Sequence, residues 1–191
     1  MSEVNALASM SFVEEKRAFL NNFGLGSYET RVLKIDPEDQ ACIHVRAGVQ
    51  FFHENNFKEA CEQFGKARSK LKYGFETICD YAALCACQAL SAWFRADIDS
   101  DQRMEICHEL MSECCCLWAE HGDVEGLAWQ YRLLAVMFLL SERRKRAGMY
   151  FWAAHSTFRQ IETPVNKSVI AEFRHDWEFC SQICNLSKAP K

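Results

Sequence analysis

The chain has 191 residues, of which 49% are hydrophobic and 25% are charged, and its formal net charge is −4. This composition is typical of a globular protein and excludes wholesale intrinsic disorder, and the negative charge gives no reason to expect a nucleic acid as the main ligand. The chain has only three prolines and eight glycines, which favours long helices over a β fold with many turns.

The two ends of the chain are expected to differ from its centre. The sequence predicts a flexible N-terminus over residues 1–10, a single helical domain over residues 11–186 and a flexible tail over residues 187–191. The N-terminal stretch has neither a basic lead nor an apolar core, so we expect no secretory signal. The most apolar run, residues 133–140, is too short to cross a bilayer, so we expect no transmembrane segment.

The first predicted helix is short and amphipathic. Phe12, Lys16, Phe19 and Leu20 recur at helical spacing, and the pattern ends near Asn21 and Asn22. The segment that follows, residues 23–36, begins with glycines and then has room for one or two helical turns. The sequence leaves its structure open.

A helix hairpin is predicted over residues 37–72. Asp36 is expected to cap its first helix, with Pro37 at the first helical position, where the missing N–H costs nothing. Asn55 and Asn56 tolerate left-handed backbone, so the first helix of the hairpin is expected to end there. The second helix is then predicted from Phe57 to Lys72.

Small and aromatic residues in this hairpin resemble the tetratricopeptide pattern, in which small residues let two antiparallel helices approach and large rings fill the spaces beside them. Counting from Gly48 and from Ala135, the matching residues follow at offsets of 3, 12, 16 and 19 in both halves of the chain. This agreement predicts a repeat architecture. The predicted packing residues are Ala47, Gly48, Phe51, Ala60, Phe64 and Ala67 in the first hairpin and Ala135, Phe138, Ala147, Phe151 and Ala154 in the second.

The rest of the chain also follows helical periodicity. Further helices are predicted over residues 75–96, 101–120, 124–143, 146–161 and 163–186, the last opened by Thr163 and Pro164. His121-Gly122-Asp123 is a strong stop and restart signal. The expected fold is all-α, a right-handed stack of about seven antiparallel helices in hairpins, similar to degenerate tetratricopeptide repeats and to the soluble NSF attachment protein (SNAP) family.

One segment carries a more particular resemblance. Residues 59–90 place Glu62-Gln63-Phe64-Gly65 before a cysteine- and alanine-rich helix with Tyr81, Ala82, Cys85 and Gln88. This arrangement resembles the huntingtin-associated 40-kilodalton protein family. The resemblance implies a non-enzymatic, all-helical protein that is clasped by the large HEAT-repeat protein huntingtin and linked to endosome traffic. It implies no individual binding residues.

The eleven cysteines raise three alternatives. Cysteine is a small, readily buried residue, so core packing is one; a redox or acylation role for Cys114–Cys116 is the second, and metal binding is the third. No C-x₂-C loop is present, and the His108-Glu109 start of an HExxH motif fails because Ser112 replaces its second histidine. Without an export signal, free thiols in a reducing cytosol are expected, and no cofactor or metal is predicted.

The longest cationic run is Arg143, Arg144, Lys145 and Arg146, called the basic turn below. The repeat alignment places it between two helices, where it is a solvated turn, a docking patch for an acidic partner or an anionic membrane, or a nuclear localisation signal. Trp129 and Trp152 lie off the repeat's packing positions, and an exposed Trp beside Arg is typical of interface hot spots. These six residues are the predicted partner-binding residues.

The sequence therefore predicts a non-enzymatic protein–protein interaction scaffold or adaptor. Its expected location is the cytoplasm, with association with endosomes or a nuclear pool as further alternatives, and its expected partner is a protein such as huntingtin. Two alternatives stay open: a SNAP-like membrane-fusion adaptor that associates with membranes through its partner, and a cysteine-based redox or metal-binding protein.

Overall fold

The computed structural model describes residues 3–71, 74, 76–161, 163 and 166–183, with side chains described from residue 8 onward. The described part of the chain is all-α and has no strand. Its helices are α1 Glu3–Phe23, α2 Gly26–Val32, α3 Gln40–His53, α4 Phe57–Lys70, α5 Ile78–Phe94, α6 Ser100–His121, α7 Val124–Leu140, α8 Arg144–Phe158 and α9 Lys167–Ile183, with a 3₁₀ turn at Arg159–Ile161.

The chain divides into two compact units. The central unit, Gly24–Asp123, packs α3 on α4, α4 on α5 and α5 on α6, with α2 against α5. The terminal unit, Met1–Phe23 with Val124–Lys191, packs α7 on α8 and α8 on α9, with α1 against α7. Consecutive helices joined by short connections form antiparallel hairpins. The expected all-α stack of helix hairpins is confirmed, with more helices than the seven expected.

The start of the first hairpin is shifted. The expected cap at Asp36 is wrong, because α3 begins at Gln40 and Asp39 is its cap, accepting a hydrogen bond from the Ala41 N–H at 2.7 Å. The Asp36 carboxylate instead accepts the Glu38 N–H at 2.9 Å, which forms a turn around Pro37. Two aspartates compete for the same helix start, and the one nearer the apolar stripe of α3 caps it.

Close helix contact in the central unit depends on Gly48. A Cβ atom at this position would lie 2.9 Å from the ring of Phe64, which is fully buried on the facing helix. His44 occupies the slot where the tetratricopeptide pattern has an aromatic ring, and its Nδ1 lies 2.8 Å from Oε1 of Gln63 on α4. A hydrogen bond therefore joins α3 to α4 where the repeat pattern has a ring.

The two predicted repeats also share a turn geometry that composition does not show. Asn55 and Glu142 occupy the same repeat position, and both have positive φ, 58° and 60° respectively. In each turn the next residue donates its N–H to the helix carbonyl five residues back, Asn56 to Phe51 at 2.8 Å and Arg143 to Phe138 at 2.9 Å. This is a Schellman ending, and Gly122 closes α6 in the same way.

Several helices begin at residues other than those predicted from the sequence. α1 begins at Glu3, well before Phe12, and the open segment 23–36 contains α2. α5 begins at Ile78 rather than at 75, and α9 begins at Lys167 rather than after Thr163. Pro164, the tail 187–191 and Cys184 lie outside the described residues. The single domain over 11–186 and the flexible ends stay predictions.

The predicted packing residues face the hairpin interiors with few exceptions. Phe138 of α7 stacks on Tyr150 of α8, with ring centroids 5.3 Å apart and planes within 10°. Ala47 and Phe51 are half-buried. The others are buried: Gly48, Ala60, Phe64, Ala67, Ala135, Phe138, Ala147, Phe151 and Ala154.

Candidate partner-binding surface

The basic turn connects α7 to α8 in the terminal unit. After the Schellman ending at Arg143, the Ala147 N–H already donates to the Arg143 carbonyl at 3.1 Å, so α8 starts at once. The expected start at Arg146 is therefore wrong, and Arg144, Lys145 and Arg146 lie within the first turn of α8. The positive end of the helix dipole disfavours cations there, so the dipole of α8 does not stabilise these three residues.

The basic turn surrounds an open depression of about 500 Å³, lined by Glu142, Arg143, Arg144, Lys145 and Arg146. Arg144, Lys145 and Arg146 are exposed, and none of the three forms an ion pair with any described residue. No acidic residue lies in the first turn of α8. Among the described residues of the lining, Glu142 is the one carboxylate against four cations, so this part of the depression is cationic.

One face of α8 continues from the basic turn as a mixed polar and apolar surface. Lys145, Met149 and Trp152 follow at intervals of four and three residues, which places them on the same side of the helix. We call these three residues the outer face of α8. Met149 is 57% exposed, and Trp152 is half-buried. Apolar side chains with this exposure next to unpaired cations are typical of protein interfaces.

Arg146 is held in place on the neighbouring helix. Its guanidinium lies 5.6 Å from the centroid of the Phe138 ring, and the same ring stacks on Tyr150. A cation over an aromatic face is attracted by the ring quadrupole. The contact reduces the freedom of the Arg146 side chain before any partner binds.

The structure does not bring the second predicted tryptophan to this surface. Trp129 lies near the start of α7, where its ring meets Phe173 of α9 edge-on at 5.1 Å and Arg132 at 5.2 Å. A helix rises 1.5 Å per residue, so Trp129 and the basic turn are about 20 Å apart along α7. Trp152, by contrast, lies about 10 Å from Lys145 along α8.

A buried cluster of charges was not predicted from the sequence. Asp176 of α9 is paired with Lys16 of α1 at 2.5 Å and with Arg132 of α7 at 2.8 Å, and the three side chains are 1%, 3% and 5% exposed. The exposed carboxylates of Glu15 and Glu172 complete the network. The sequence does contain one indication of this cluster, because Lys16 falls on the apolar stripe of its own helix, where a charged residue needs a buried partner.

This cluster borders a cavity of about 310 Å³ whose lining includes His175 and Ser168. The cationic groups facing it are already paired with carboxylates, and Arg132 also contacts the rings of Phe19 and Phe173 at 4.9 and 4.7 Å. The network therefore joins three helices of the terminal unit.

The described cysteines pack in the interior with one exception, Cys116, which is exposed. Burial raises the pKa of the Cys85 and Cys115 thiols to about 12. Complete burial also raises the pKa of the Cys114 thiol. A thiol with such a pKa carries little thiolate at neutral pH, so it is a poor nucleophile. Within the described residues, no group of three or more His, Cys, Asp or Glu side chains is arranged to hold a metal ion.

No protein-family model matches the chain, and no curated protein matches it. None of the described helices is long and apolar enough to cross a bilayer.

Proposed function

We propose that this chain is a non-enzymatic protein–protein interaction scaffold that binds a larger protein through the terminal unit. The observation that carries the proposal is the outer face of α8, where exposed Met149 and half-buried Trp152 continue from three cations without an ion pair to any described residue. Rigid helix pairs hold this surface in place, so a partner binds it without first ordering it.

The partner we propose is a large HEAT-repeat protein of the huntingtin kind, with a role in endosome traffic. This choice rests on the resemblance of residues 59–90 to the huntingtin-associated 40-kilodalton family. The residues that carry it pack within the central unit: Phe64 lies against Gly48, and Gly65 lies against Gln88. They therefore support a common hairpin core rather than common contact residues.

A SNAP-like adaptor is the second candidate, and it is favoured by Arg144, Lys145 and Arg146, which are exposed and form no ion pair with a described residue. An adaptor held mainly by exposed charges loses affinity steeply as salt rises, because the Debye length falls from about 10 Å at 0.1 M to about 3 Å at 1 M. A clasped subunit held by buried apolar contacts is much less sensitive to salt.

The test is a pull-down of the tagged protein from cell lysate at low and high salt, with quantitative mass spectrometry, for wild type and Trp152→Ala. Recovery of huntingtin in an amount equal to the tagged protein, retained at high salt and reduced in Trp152→Ala, supports the clasped subunit. Fusion-machinery proteins that wash off in salt support the adaptor. A wild-type protein that recovers no stoichiometric partner would rule out the scaffold in both forms. Circular dichroism spectra of both proteins check that the variant is folded.

A further inference from the structure

We propose that the outer face of α8 and the basic turn together dock an acidic amphipathic segment of a partner protein. This inference rests on the proposed scaffold function and adds the chemical class of the segment that binds. The carboxylates of the segment face the cations of the basic turn, and its apolar side chains cover Met149 and Trp152.

Charge complementarity is the first support. The chain as a whole carries a net charge of −4, yet α8 contains three cations at its start and no Asp or Glu at all. Two other exposed cations of the terminal unit have carboxylate partners: Arg17 lies 3.4 Å from Glu14, and Arg174 lies 2.7 Å from Glu178. Arg159 and Lys167 are also exposed without an ion pair to a described residue, but they lie singly, whereas the three cations of α8 are consecutive. Unpaired cations collected at one place attract an acidic partner and orient it.

The position of the apolar residues is the second support. Met149 lies one helical turn beyond Lys145, and Trp152 lies one turn further on the same side. A partner segment that crosses this face therefore meets charge at one end and apolar surface at the other. Methionine adapts its shape to the surface it contacts, and tryptophan supplies a large contact area, so both are suited to bind a helical segment.

The shape of the surface favours a protein segment over a bilayer. A membrane-surface helix presents a broad apolar stripe flanked by basic residues along its length. On α8 the cations are gathered at one end around a depression of about 500 Å³, and Met149 is the one large apolar residue of the helix with high exposure. Cations gathered at one end of α8 match a segment that presents its carboxylates at one end, whereas a lipid surface is bound by cations along the length of a helix.

The probe is a synthetic helical peptide with glutamates on one face and leucines beside them, labelled with an uncharged fluorophore. The matched peptide has glutamine in place of every glutamate. Binding to the full chain is measured by fluorescence anisotropy at low and physiological salt. We expect the glutamate peptide to bind at least about tenfold more tightly than the glutamine peptide at low salt, with the difference shrinking as salt rises.

Two pairs of variants locate the site. Lys145→Gln with Arg146→Gln is expected to weaken the glutamate peptide about tenfold and leave the glutamine peptide unchanged. The matched control, Arg17→Gln with Arg174→Gln, removes the same net charge from the same unit and is expected to have little effect. Met149→Ser is expected to weaken both peptides several-fold, while Met10→Ser, which changes an exposed methionine of α1, is expected to leave them unchanged.

Four results would overturn the inference. The first is equal affinity of the two peptides, and the second is a control pair of variants that weakens binding as much as the α8 pair. The third is binding of phosphatidylserine vesicles at α8 without binding of the glutamate peptide. The fourth is self-association of the chain through α8, in which a second copy occupies the face. Light scattering of wild type and of the Lys145→Gln, Arg146→Gln variant tests the last.

The inference and the scaffold function can fail separately. If wild type and the Lys145→Gln, Arg146→Gln variant recover the same stoichiometric partner equally well, docking at α8 is wrong and the scaffold stands. If wild type recovers no stoichiometric partner, the scaffold itself is wrong, whatever the peptides do.

Discussion

The carboxylate of Asp176 on α9 accepts a hydrogen bond from Nε of Arg132 on α7 at 2.8 Å, and both side chains are buried. Lys16 of α1 reaches the same carboxylate. Asp176 is therefore a buried carboxylate shared by two buried cations from two other helices, whose further carboxylate partners, Glu15 and Glu172, are exposed. A buried ion pair contributes little relative to a well-packed apolar group, but removal of one partner is costly because the remaining charge stays in the interior.

We therefore expect Asp176→Asn to lower the free energy of unfolding by about 3–5 kcal/mol, measured by urea denaturation. Glu178→Gln is the matched control, because Glu178 lies two residues further on the same helix and pairs with Arg174 at the surface. Its effect is expected to be small. Equal stability of the two variants would contradict a stabilising role for the buried cluster.

Gly48 and Gly65 give a paired test of helix approach in the central unit. Gly48→Ala would place a Cβ 2.9 Å from the fully buried ring of Phe64, and we expect a loss of about 1–3 kcal/mol in the free energy of unfolding. Gly65→Ala would meet the mobile end of Gln88 at 3.0 Å. That side chain can move aside, and alanine favours the helix, so we expect no loss. Equal losses in the free energy of unfolding would show that contact with Phe64 does not determine the cost of Gly48→Ala.

The buried thiol of Cys85 predicts a loss of stability at high pH. Burial raises its pKa from 9.0 to about 12, against the opposing effect of Arg68. The folded state therefore keeps a proton that the unfolded state releases, so the contribution to stability is complete below about pH 9 and is lost between about pH 9 and 12.

The measurement is urea denaturation between about pH 7 and 10.5 for wild type and Cys85→Ala. Above about pH 9, one such thiol steepens the fall of the unfolding free energy by about 1.4 kcal/mol per pH unit. Cys85→Ala is expected to show a slope shallower by that amount. Parallel slopes for the two proteins would mean that Cys85 ionises in the folded state as it does in water.

Cys115 and Cys116 are neighbours that should differ in reactivity. Cys116 is exposed and Cys115 is buried. In a background in which Cys184 is replaced by serine, we expect a fast phase with Ellman's reagent at neutral pH that disappears in Cys116→Ser and persists in Cys115→Ser. A fast phase that depends on Cys115 would instead support the redox or acylation alternative for this cluster.

The sequence was a good guide where one local signal decides the structure. The stop at Gly122 and the hairpin break at Asn55 follow from residues that tolerate left-handed backbone, and both are confirmed. It was a poorer guide where neighbouring signals compete. Asp36 and Asp39 are both possible caps, and packing selects the second. The start of α8 was placed two residues late because nothing in the sequence marks Glu142 as the left-handed residue.

The candidate surface was predicted in part. The sequence marked the basic turn and Trp152, and the structure places them about 10 Å apart along one helix. It also marked Trp129, which packs on Phe173 instead. Periodicity shows which positions of a helix share a face, but it does not show which neighbouring helix covers that face.

By itself, the sequence determined the all-helical class and the repeated hairpin, because helical periodicity and the spacing of small residues are local properties of the chain. Only the tertiary structure decided that Lys16, Arg132 and Asp176 meet, since they lie on three helices far apart in sequence. It also decided that Met149 is left exposed beside cations that form no ion pair with a described residue. Burial and pairing of charge depend on which helices are neighbours, and that is a property of the packed chain.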